Sequence, residues 1–233
     1  MTGDGPASPV TGGQAIGTEA DRAMMPERVS AVLFDLDGVL VDSARVVERA
    51  WRIWAGEQAI RADDILAVAH GRPAREVVRI FAPHLDAEQQ ALRIARHEAR
   101  DVGGLAAIPG ARECVSIARR GRWAVVTSGG RKLAIGRLAA AGLPVPEVLV
   151  TADDITFGKP DPEPYQRACR ELSVPAGECV VIEDSPAGIL AAKKAGMTVL
   201  AVTTTHETAS LLHADLVFST LHGIAQQLLA AGH

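Results

Sequence analysis

Short apolar runs recur along the chain, and stretches with helical periodicity separate them. An apolar run of about 4–8 residues bounded by turn signals is typical of a buried strand. The pattern predicts five such strands, at Val29 to Phe34, Trp123 to Thr127, Val148 to Val150, Cys179 to Ile182 and Thr198 to Val202. Helices are predicted between them at Gly110 to Arg120, Arg131 to Ala141, Glu163 to Leu172 and Ala187 to Ala195. This alternation indicates an α/β fold with a doubly wound, Rossmann-like parallel sheet.

One interval interrupts the alternation. Between Ser43 and Ala107 the apolar positions follow a helical period throughout. The pattern therefore predicts an all-helical cap domain over residues 43–107, inserted after the first strand. We expect it to lie over the carboxyl edge of the sheet, where open α/β folds bind ligands. The core domain is then formed by residues 29–42 and 108–233.

Residues 1–28 differ in composition from the rest of the chain. Gly, Pro, Ala, Ser and Thr dominate this segment. Such a segment buries too little apolar surface to offset the entropy lost on ordering. We therefore expect a disordered N-terminal tail.

Composition and charge exclude some partners. The 233 residues carry a formal net charge of −4 with no basic patch, which argues against a nucleic-acid partner. No apolar run approaches the ~18 residues of a membrane span, and no secretion signal is evident. The three cysteines form no CxxC pair, which suits packing residues in a reducing compartment. We expect a cytoplasmic protein without a membrane partner.

Two acids, Asp35 and Asp37, directly follow the first predicted strand, in the sequence FDLDGVL. Paired carboxylates at the carboxyl end of a strand bind a hard divalent cation, or act as nucleophile and proton carrier. Gly38 permits the tight turn that directs both towards one site. The alternative is that Asp42 and Ser43 cap the next helix while the acid pair is merely solvated.

Further polar groups occur near the ends of later strands. The sequence TSGG supplies the hydroxyl of Thr127 and backbone N–H groups for phosphate oxygens. The loop FGKPDPEPY supplies the cation of Lys159, and Glu183 and Asp184 add carboxylates for a metal. Singly, each group is explained equally well as a helix cap, a solvated charge or a turn. Their occurrence in this order predicts an Mg²⁺-dependent phosphoryl-transfer site.

The segments FDLDG, VVTSG, GKPDPEPY and VIEDSPAG match, in order, the four motifs of the haloacid dehalogenase superfamily. The chain resembles this superfamily over nearly its whole length after the predicted tail. Segments such as HGRPAR and ECVVIEDSPAGI are similar to its branch of small-molecule phosphatases with a helical cap after the first motif. The resemblance implies an Mg²⁺-dependent phosphatase of small phosphorylated sugars or polyols that works through an aspartyl phosphate.

The resemblance also implies roles for the matching residues. Asp35 would attack phosphorus, while Asp37 would protonate the leaving alcohol and then deprotonate the hydrolytic water. Lys159 would neutralise the nucleophile. The predicted catalytic residues are Asp35, Asp37, Lys159 and Thr127. The groups implied to bind the phosphoryl oxygens belong to Thr127, Ser128, Gly129 and Lys159. The metal would be bound by Asp35, Asp184 and the backbone carbonyl of Asp37, with Glu183 either a further direct ligand or a partner of one of these ligands.

Substrate selection is expected in the cap, which can close over the site. Its polar candidates for binding the substrate are His70, Arg72 and Arg75, in the loop HGRPAR. The alternative is that these side chains lie in solvent. Trp51 and Trp54, three positions apart, should pack within the cap itself. The expected partner is a small-molecule phosphate ester, and the expected assembly is a monomer or weak homodimer.

Related chemistries are less compatible with the residues present. Hydrolytic dehalogenases need no acid at Asp37, and phosphonate-cleaving relatives use a cap lysine, of which residues 43–107 contain none. A phosphoacceptor receiver domain needs neither a second carboxylate nor a lid. β-Phosphoglucomutase shares the fold, the cap and all four motifs, but has a cap-hinge histidine where this chain has Val46 and Val47. We expect a phosphatase, with a hexose-phosphate mutase as the alternative.

Overall fold

The computed structural model describes residues 24–69, 72–101 and 103–232. The strands in these ranges are β1 (Ala31–Phe34), β2 (Val41–Asp42), β3 (Ala106–Ala107), β4 (Arg122–Val126), β5 (Val148–Val150), β6 (Cys179–Glu183), β7 (Thr198–Val202) and β8 (Leu216–Phe218). The α-helices are α1 (Ala44–Glu57), α2 (Ala62–Ala69), α3 (Ala74–Phe81), α4 (Ala87–Arg100), α5 (Ala111–Ala118), α6 (Arg131–Ala140), α7 (Glu163–Leu172), α8 (Pro186–Lys194) and α9 (Leu221–Ala230). The predicted tail lies outside the described residues up to residue 23, and residues 24–28 form turns and bends.

Six strands form one parallel sheet in the order β5-β4-β1-β6-β7-β8. The central strand β1 pairs with β4 on one side and β6 on the other. Consecutive strands therefore diverge to both sides of β1, and this reversal is where open α/β sheets form their ligand crevice. The predicted doubly wound α/β fold is confirmed.

Alternate residues of the strands face two hydrophobic clusters, as the two-residue period of a strand requires. In β1, Val32 and Phe34 belong to one cluster, whereas Ala31 and Leu33 belong to the other. Both faces of the sheet are covered, so its strands are apolar in sequence rather than alternating. The three cysteines are free and buried within this core, as predicted, at Cys114, Cys169 and Cys179.

The C-terminal elements β8 and α9 were not predicted. The apolar part of β8 is only three residues long, Leu216–Phe218, and the strand is half-buried at the edge of the sheet. A run this short carries little periodic signal. The sheet consequently has one strand more than the five predicted.

Four helices, α1 to α4, occupy the segment predicted for the cap. They surround a separate hydrophobic cluster in which Trp51 and Trp54 pack edge to face, with ring centroids 5.6 Å apart. Trp54 Nε1 donates a hydrogen bond to Gln90 Oε1 at 2.9 Å. Both tryptophans pack within the cap as expected. The division into domains at residues 43 and 107 stays a prediction.

The short strands β2 and β3 lead into and out of the cap and pair antiparallel with each other, with Val41 opposite Ala107. The chain therefore leaves the core and returns to it at neighbouring points. Among the described helices, none has the length and apolarity needed to cross a bilayer.

Candidate active site

A tight turn after β1 brings the first acid pair to the carboxyl edge of the sheet. The backbone N–H of Asp35 continues the ladder by donating to Ile182 O at 3.0 Å. Gly38 then adopts φ 85°, in the left-handed region that favours glycine. A Cβ there would also collide with the carboxylate of Asp184. The turn therefore depends on glycine both for its backbone angle and for the close approach of Asp184.

The ammonium group of Lys159 lies where the ends of β1, β4 and β6 meet. Its Nζ donates to Asp35 Oδ1 at 2.6 Å, to Glu183 Oε1 at 2.6 Å and to Val126 O at 3.2 Å. The side chain is only 2% exposed. Burial by itself would lower the pKa of Lys159, but the carboxylates of Asp35 and Glu183 raise it well above its usual value. Lys159 is therefore a buried cation shared by two acids.

Both carboxylate oxygens of Glu183 are occupied by donors from the protein. Oε1 accepts from Lys159 and from the hydroxyl of Tyr165 at 2.8 Å. Oε2 accepts from the backbone N–H groups of Asp184 and Ser185 and from Ser185 Oγ. Burial would raise the pKa of Glu183, but the charge of Lys159 lowers it. Five donors hold Glu183 as a charged partner of Lys159.

The acids Asp35, Glu183 and Asp184 form a group with geometry suited to a metal ion. One carboxylate oxygen from each lies within 4.8 Å of the others, and all three residues are buried. Burial raises the pKa of Asp35 to about 7, against the opposing charge of Lys159. Burial, together with the charges of Asp35 and Glu183, raises the pKa of Asp184 well above its usual value. Lys159 contacts only Asp35 and Glu183 of these three acids, so the group is short of positive charge, and carboxylate oxygens are ligands that Mg²⁺ prefers.

The TSGG segment connects β4 to the N-terminus of α6. Thr127 is 3% exposed, and its backbone N–H donates to Val150 O at 2.9 Å. Its Oγ1 accepts from the N–H of Gly129 at 3.1 Å, which leaves its own O–H proton to donate elsewhere. Thr127, Ser128 and Gly129 line the same cavity as Asp35, Asp37 and Asp184. The segment thus presents a hydroxyl and a helix N-terminus towards the acids, an arrangement that suits an anion.

Asp37 belongs to a second network of side chains. Its Oδ1 accepts from Ser43 Oγ at 2.6 Å and its Oδ2 accepts from Arg137 Nη1 at 2.6 Å. Arg137 Nη2 in turn donates to Glu98 Oε2 at 2.7 Å. Burial raises the pKa of Glu98, against the opposing charge of Arg137. The side chain of Asp37 therefore faces its own partners, while Asp35 and Glu183 contact Lys159.

Sequence reasoning missed Arg137 and Glu98. On α6 the buried residues are Ala134, Arg137 and Leu138, so a charged residue lies on the apolar face of the helix. That position was a signal in the sequence, because an arginine is rarely buried without a partner. The alternative role considered for Ser43, capping α1 with its side chain, is wrong: this N-cap makes no side-chain hydrogen bond to the helix. Its hydroxyl donates to Asp37 instead.

The cap candidates are placed differently from one another. His70 lies outside the described residues. Arg72 is exposed and lines the cavity. Arg75 also lines the cavity, but its guanidinium donates to the backbone oxygens of Ala152 and Thr156 at 3.5 and 3.3 Å. Arg75 therefore connects the cap to the core loop after β5, and of the two described arginines Arg72 is the more accessible to a ligand.

A cavity of about 640 Å³ lies between the cap and the carboxyl edge of the sheet. The acids and the TSGG segment form its core side, and Val47, Trp51 and Leu92 contribute apolar surface from the cap. Val46, by contrast, is buried at 2% exposure. Val46 and Val47 occupy the place of the cap-hinge histidine of β-phosphoglucomutase. Of the two, Val47 is the one that lines the cavity.

Comparison with known proteins identifies the family. Residues 29–196 match the family model described as haloacid dehalogenase-like hydrolase. The chain belongs to this family. The match runs from just before β1 to just after α8, so it includes all four motifs and the helices of the cap.

Curated proteins similar to this chain include several phosphatases. Hexitol phosphatase A of Escherichia coli (strain K12) is 40% identical over 202 residues, which cover 84% of this chain and 94% of that protein. Validoxylamine A 7'-phosphate phosphatase of Streptomyces hygroscopicus subsp. limoneus is 39% identical over 198 residues, covering 81% and 92%.

Similar solved structures show the same fold. A putative beta-phosphoglucomutase from Bacteroides vulgatus superposes with a TM-score of 0.72 at 28% identity, covering 88% of this chain and 91% of that one. CbbY from Rhodobacter sphaeroides, solved in complex with phosphate, gives a TM-score of 0.73 at 25% identity, covering 83% and 95%. The predicted resemblance to this family is confirmed.

Proposed function

We propose that this haloacid dehalogenase-like hydrolase is an Mg²⁺-dependent phosphatase of small phosphorylated sugars or polyols, acting through an aspartyl phosphate on Asp35. The broader prediction, a phosphoric monoester hydrolase, is confirmed by the family and by its phosphatase relatives. The observation that carries the finer proposal is the position of Asp35. Its carboxylate lies 2.6 Å from the buried ammonium of Lys159 and lines one cavity with Thr127 and Asp184.

The first step is the attack of an Asp35 oxygen on phosphorus, which breaks the bond to the leaving oxygen. Asp37 gives its proton to that oxygen, so the alcohol departs neutral. In the second step a water molecule gives a proton to Asp37 and attacks the aspartyl phosphate. The bond to Asp35 breaks, inorganic phosphate leaves, and both carboxyl groups return to their starting states.

The surrounding groups offset the negative charge of the reactants. Lys159 stabilises the Asp35 carboxylate next to an anionic ester, and the Thr127 hydroxyl and the N–H group of Ser128 are suited to the phosphoryl oxygens. The N–H of Gly129 already donates to Thr127 Oγ1, so it would orient this hydroxyl. Bound among Asp35, Asp184 and the backbone carbonyl of Asp37, Mg²⁺ would supply further positive charge there. Because five donors already occupy Glu183, we expect this residue to support Lys159 and not to coordinate the metal directly.

The mutase alternative is less well supported. Similarity to solved mutases is shared with phosphatases, because the two activities use the same fold and motifs. At the cap hinge, however, the cavity is lined by the aliphatic side chain of Val47. This side chain has no nitrogen with which to engage a sugar hydroxyl, so nothing at this position favours sugar over water as the phosphoryl acceptor. A cytoplasmic location and a monomeric or weakly dimeric state stay predictions.

Release of inorganic phosphate from hexitol, glycerol and hexose phosphates, with Mg²⁺ and with EDTA, tests the proposal. We expect hydrolysis that depends on Mg²⁺ and is abolished by Asp35→Asn. The matched control is Asp63→Asn, because the Asp63 side chain is 70% exposed in the cap. Full activity of Asp35→Asn would refute the nucleophile, and isomerised sugar phosphate appearing faster than free phosphate would favour the mutase.

A further inference from the structure

Arg137 bridges two carboxylates that come from different parts of the molecule. Asp37 belongs to the turn after β1 in the core, whereas Glu98 lies on helix α4 of the cap segment. The guanidinium donates to Asp37 Oδ2 at 2.6 Å and to Glu98 Oε2 at 2.7 Å. The side chains of Arg137 and Glu98 are only 4% and 9% exposed. One buried cation therefore connects the predicted proton carrier to the cap.

Stability alone does not account for this arrangement. Burying a guanidinium and a carboxylate is unfavourable, and well-packed apolar residues in their place are often as stabilising as the ion pair. Arg137 also carries a further cost, because its buried Nε has no hydrogen-bond partner among the described residues. The other buried positions of α6 hold Ala134 and Leu138, so an apolar residue would suit position 137 as well.

The two donors to Asp37 restrict its orientation. Ser43 Oγ donates to Oδ1 at 2.6 Å, and Arg137 Nη1 donates to Oδ2 at 2.6 Å. A carboxyl group held at both oxygens has one preferred rotamer and one preferred plane. Asp37, Ser43, Arg137 and Glu98 all line the cavity that holds Asp35. The network thus fixes the orientation of the Asp37 carboxyl group, which is the group that would protonate the leaving oxygen.

We propose that Arg137 is a positioning residue, which orients Asp37 for proton transfer to the leaving group while Glu98 anchors Arg137 from the cap. The inference rests on the proposed function, in which Asp37 carries the proton. In the first step the proton moves from the Asp37 carboxyl group to the leaving oxygen as the phosphorus–oxygen bond breaks. In the second step a proton of the attacking water returns to Asp37. Arg137 keeps its own protons throughout.

A positioning role predicts a dependence on the leaving group. An alkyl alkoxide is a poor leaving group that needs a proton, whereas p-nitrophenoxide departs without one. The ratio kcat/KM reports steps up to the departure of the alcohol, so it isolates the step in which Asp37 acts as an acid. Loss of Arg137 should therefore affect an alkyl phosphate far more than an aryl phosphate.

The experiment compares glycerol phosphate with p-nitrophenyl phosphate as substrates of Arg137→Met. We expect kcat/KM to fall about 100-fold for the alkyl ester and less than about 3-fold for the aryl ester. Arg137→Lys should recover part of the loss, because it keeps the charge. Arg112→Met is the matched control, since Arg112 donates to the backbone oxygens of Ala141 and Gly142 just after α6 and contacts neither Asp37 nor Glu98 in the hydrogen bonds of the described residues. This control should leave both values unchanged.

A double variant tests whether Arg137 acts through Asp37. Adding Arg137→Met to Asp37→Asn should cause no further loss for the alkyl ester, because the group that Arg137 orients is already removed. Multiplicative losses in the double variant, or equal losses for both esters in Arg137→Met, would overturn the proposal. If Arg137→Met does not fold, Glu98→Gln provides the comparison of the two esters, because it weakens the contact that anchors Arg137 to the cap. Hydrolysis of neither ester by the unaltered chain would refute the proposed function itself.

Discussion

Replacing Lys159 with methionine should destabilise the metal-free protein much more than the same change at Lys193. The two lysines make ion pairs of similar length: Lys159 lies 2.6 Å from Asp35 and from Glu183, and Lys193 lies 2.7 Å from Asp215. They differ in burial, since the Lys159 side chain is 2% exposed and that of Lys193 is 36% exposed. Methionine approximates the length of both side chains and removes the charge together with the N–H donors of the ammonium group.

The magnitudes follow from what each change leaves behind. Removing one partner of a buried ion pair costs about 3–5 kcal/mol, because the other charge remains buried and uncompensated. Burial raises the pKa of Asp35 to about 7, so this acid can take up a proton near neutral pH and reduce the cost. We therefore expect the lower value, about 3 kcal/mol. Asp215 stays in contact with solvent and keeps the N–H of Val199 as a donor, so Lys193→Met should cost at most about 1 kcal/mol.

Urea unfolding in EDTA, followed by circular dichroism, measures the difference. With a dependence of about 2 kcal/mol per molar urea, the midpoint should fall by about 1.5 M for Lys159→Met and at most about 0.5 M for Lys193→Met. Equal shifts for the two variants would refute the reasoning, because they would show that burial of the Lys159 network does not determine its contribution. An unchanged slope is required for the comparison, since a changed slope indicates altered compactness.

Three further changes test other parts of the site. Gly188→Ala should destabilise the protein, because the added Cβ would collide with the Glu183 carboxylate. Gly136→Ala has open space around its Cβ position and should stabilise the protein by about 0.5–1 kcal/mol. Urea unfolding should therefore show changes in the free energy of unfolding of opposite sign for the two variants. Asp184→Asn should weaken Mg²⁺ binding at least about tenfold in calorimetry, since even the loss of a residue that only hydrogen-bonds to a metal ligand lowers metal affinity by about this much. Unchanged affinity would contradict the proposed role of Asp184 as a ligand. Tyr165→Phe removes one donor to Glu183 and should cost about 1–2 kcal/mol of stability, and a stability equal to that of the unaltered chain would show that this donor is dispensable.

The strands that carry the site were predictable because their sequence signals are local. Each of β1, β4 and β6 is an apolar run that ends in polar residues, and parallel strands bring such ends to one edge of a sheet. Asp35, Lys159 and Asp184 therefore lie together as the order of the motifs indicated. The edge strand β8 was missed because three half-buried residues give too little periodicity.

Interactions between distant side chains were not predictable in the same way. Arg137 and Glu98 are 39 positions apart and lie on helices whose packing is set by the tertiary fold. Nothing in a helical period tells which buried charge faces which partner. The five donors around Glu183 are a similar case, because Tyr165 and Lys159 reach it from elements elsewhere in the chain. The sequence indicated an acid at this position, and only the packed structure shows that its oxygens are already engaged.

The antiparallel pairing of β2 with β3 has a consequence for how such a protein can diversify. Asp42 lies opposite Ala106, so the two ends of the intervening segment are held side by side. Closing a loop whose ends already meet costs little extra entropy when the loop is lengthened or exchanged. The ribbon therefore provides a natural junction at which one helical segment can be replaced by another without rebuilding the sheet. A chimera joined at β2 and β3 would keep Asp35, Lys159 and Asp184 and acquire a different surface facing the leaving group, but its new segment would have to replace the contacts that Ser43 and Glu98 make with Asp37 and Arg137.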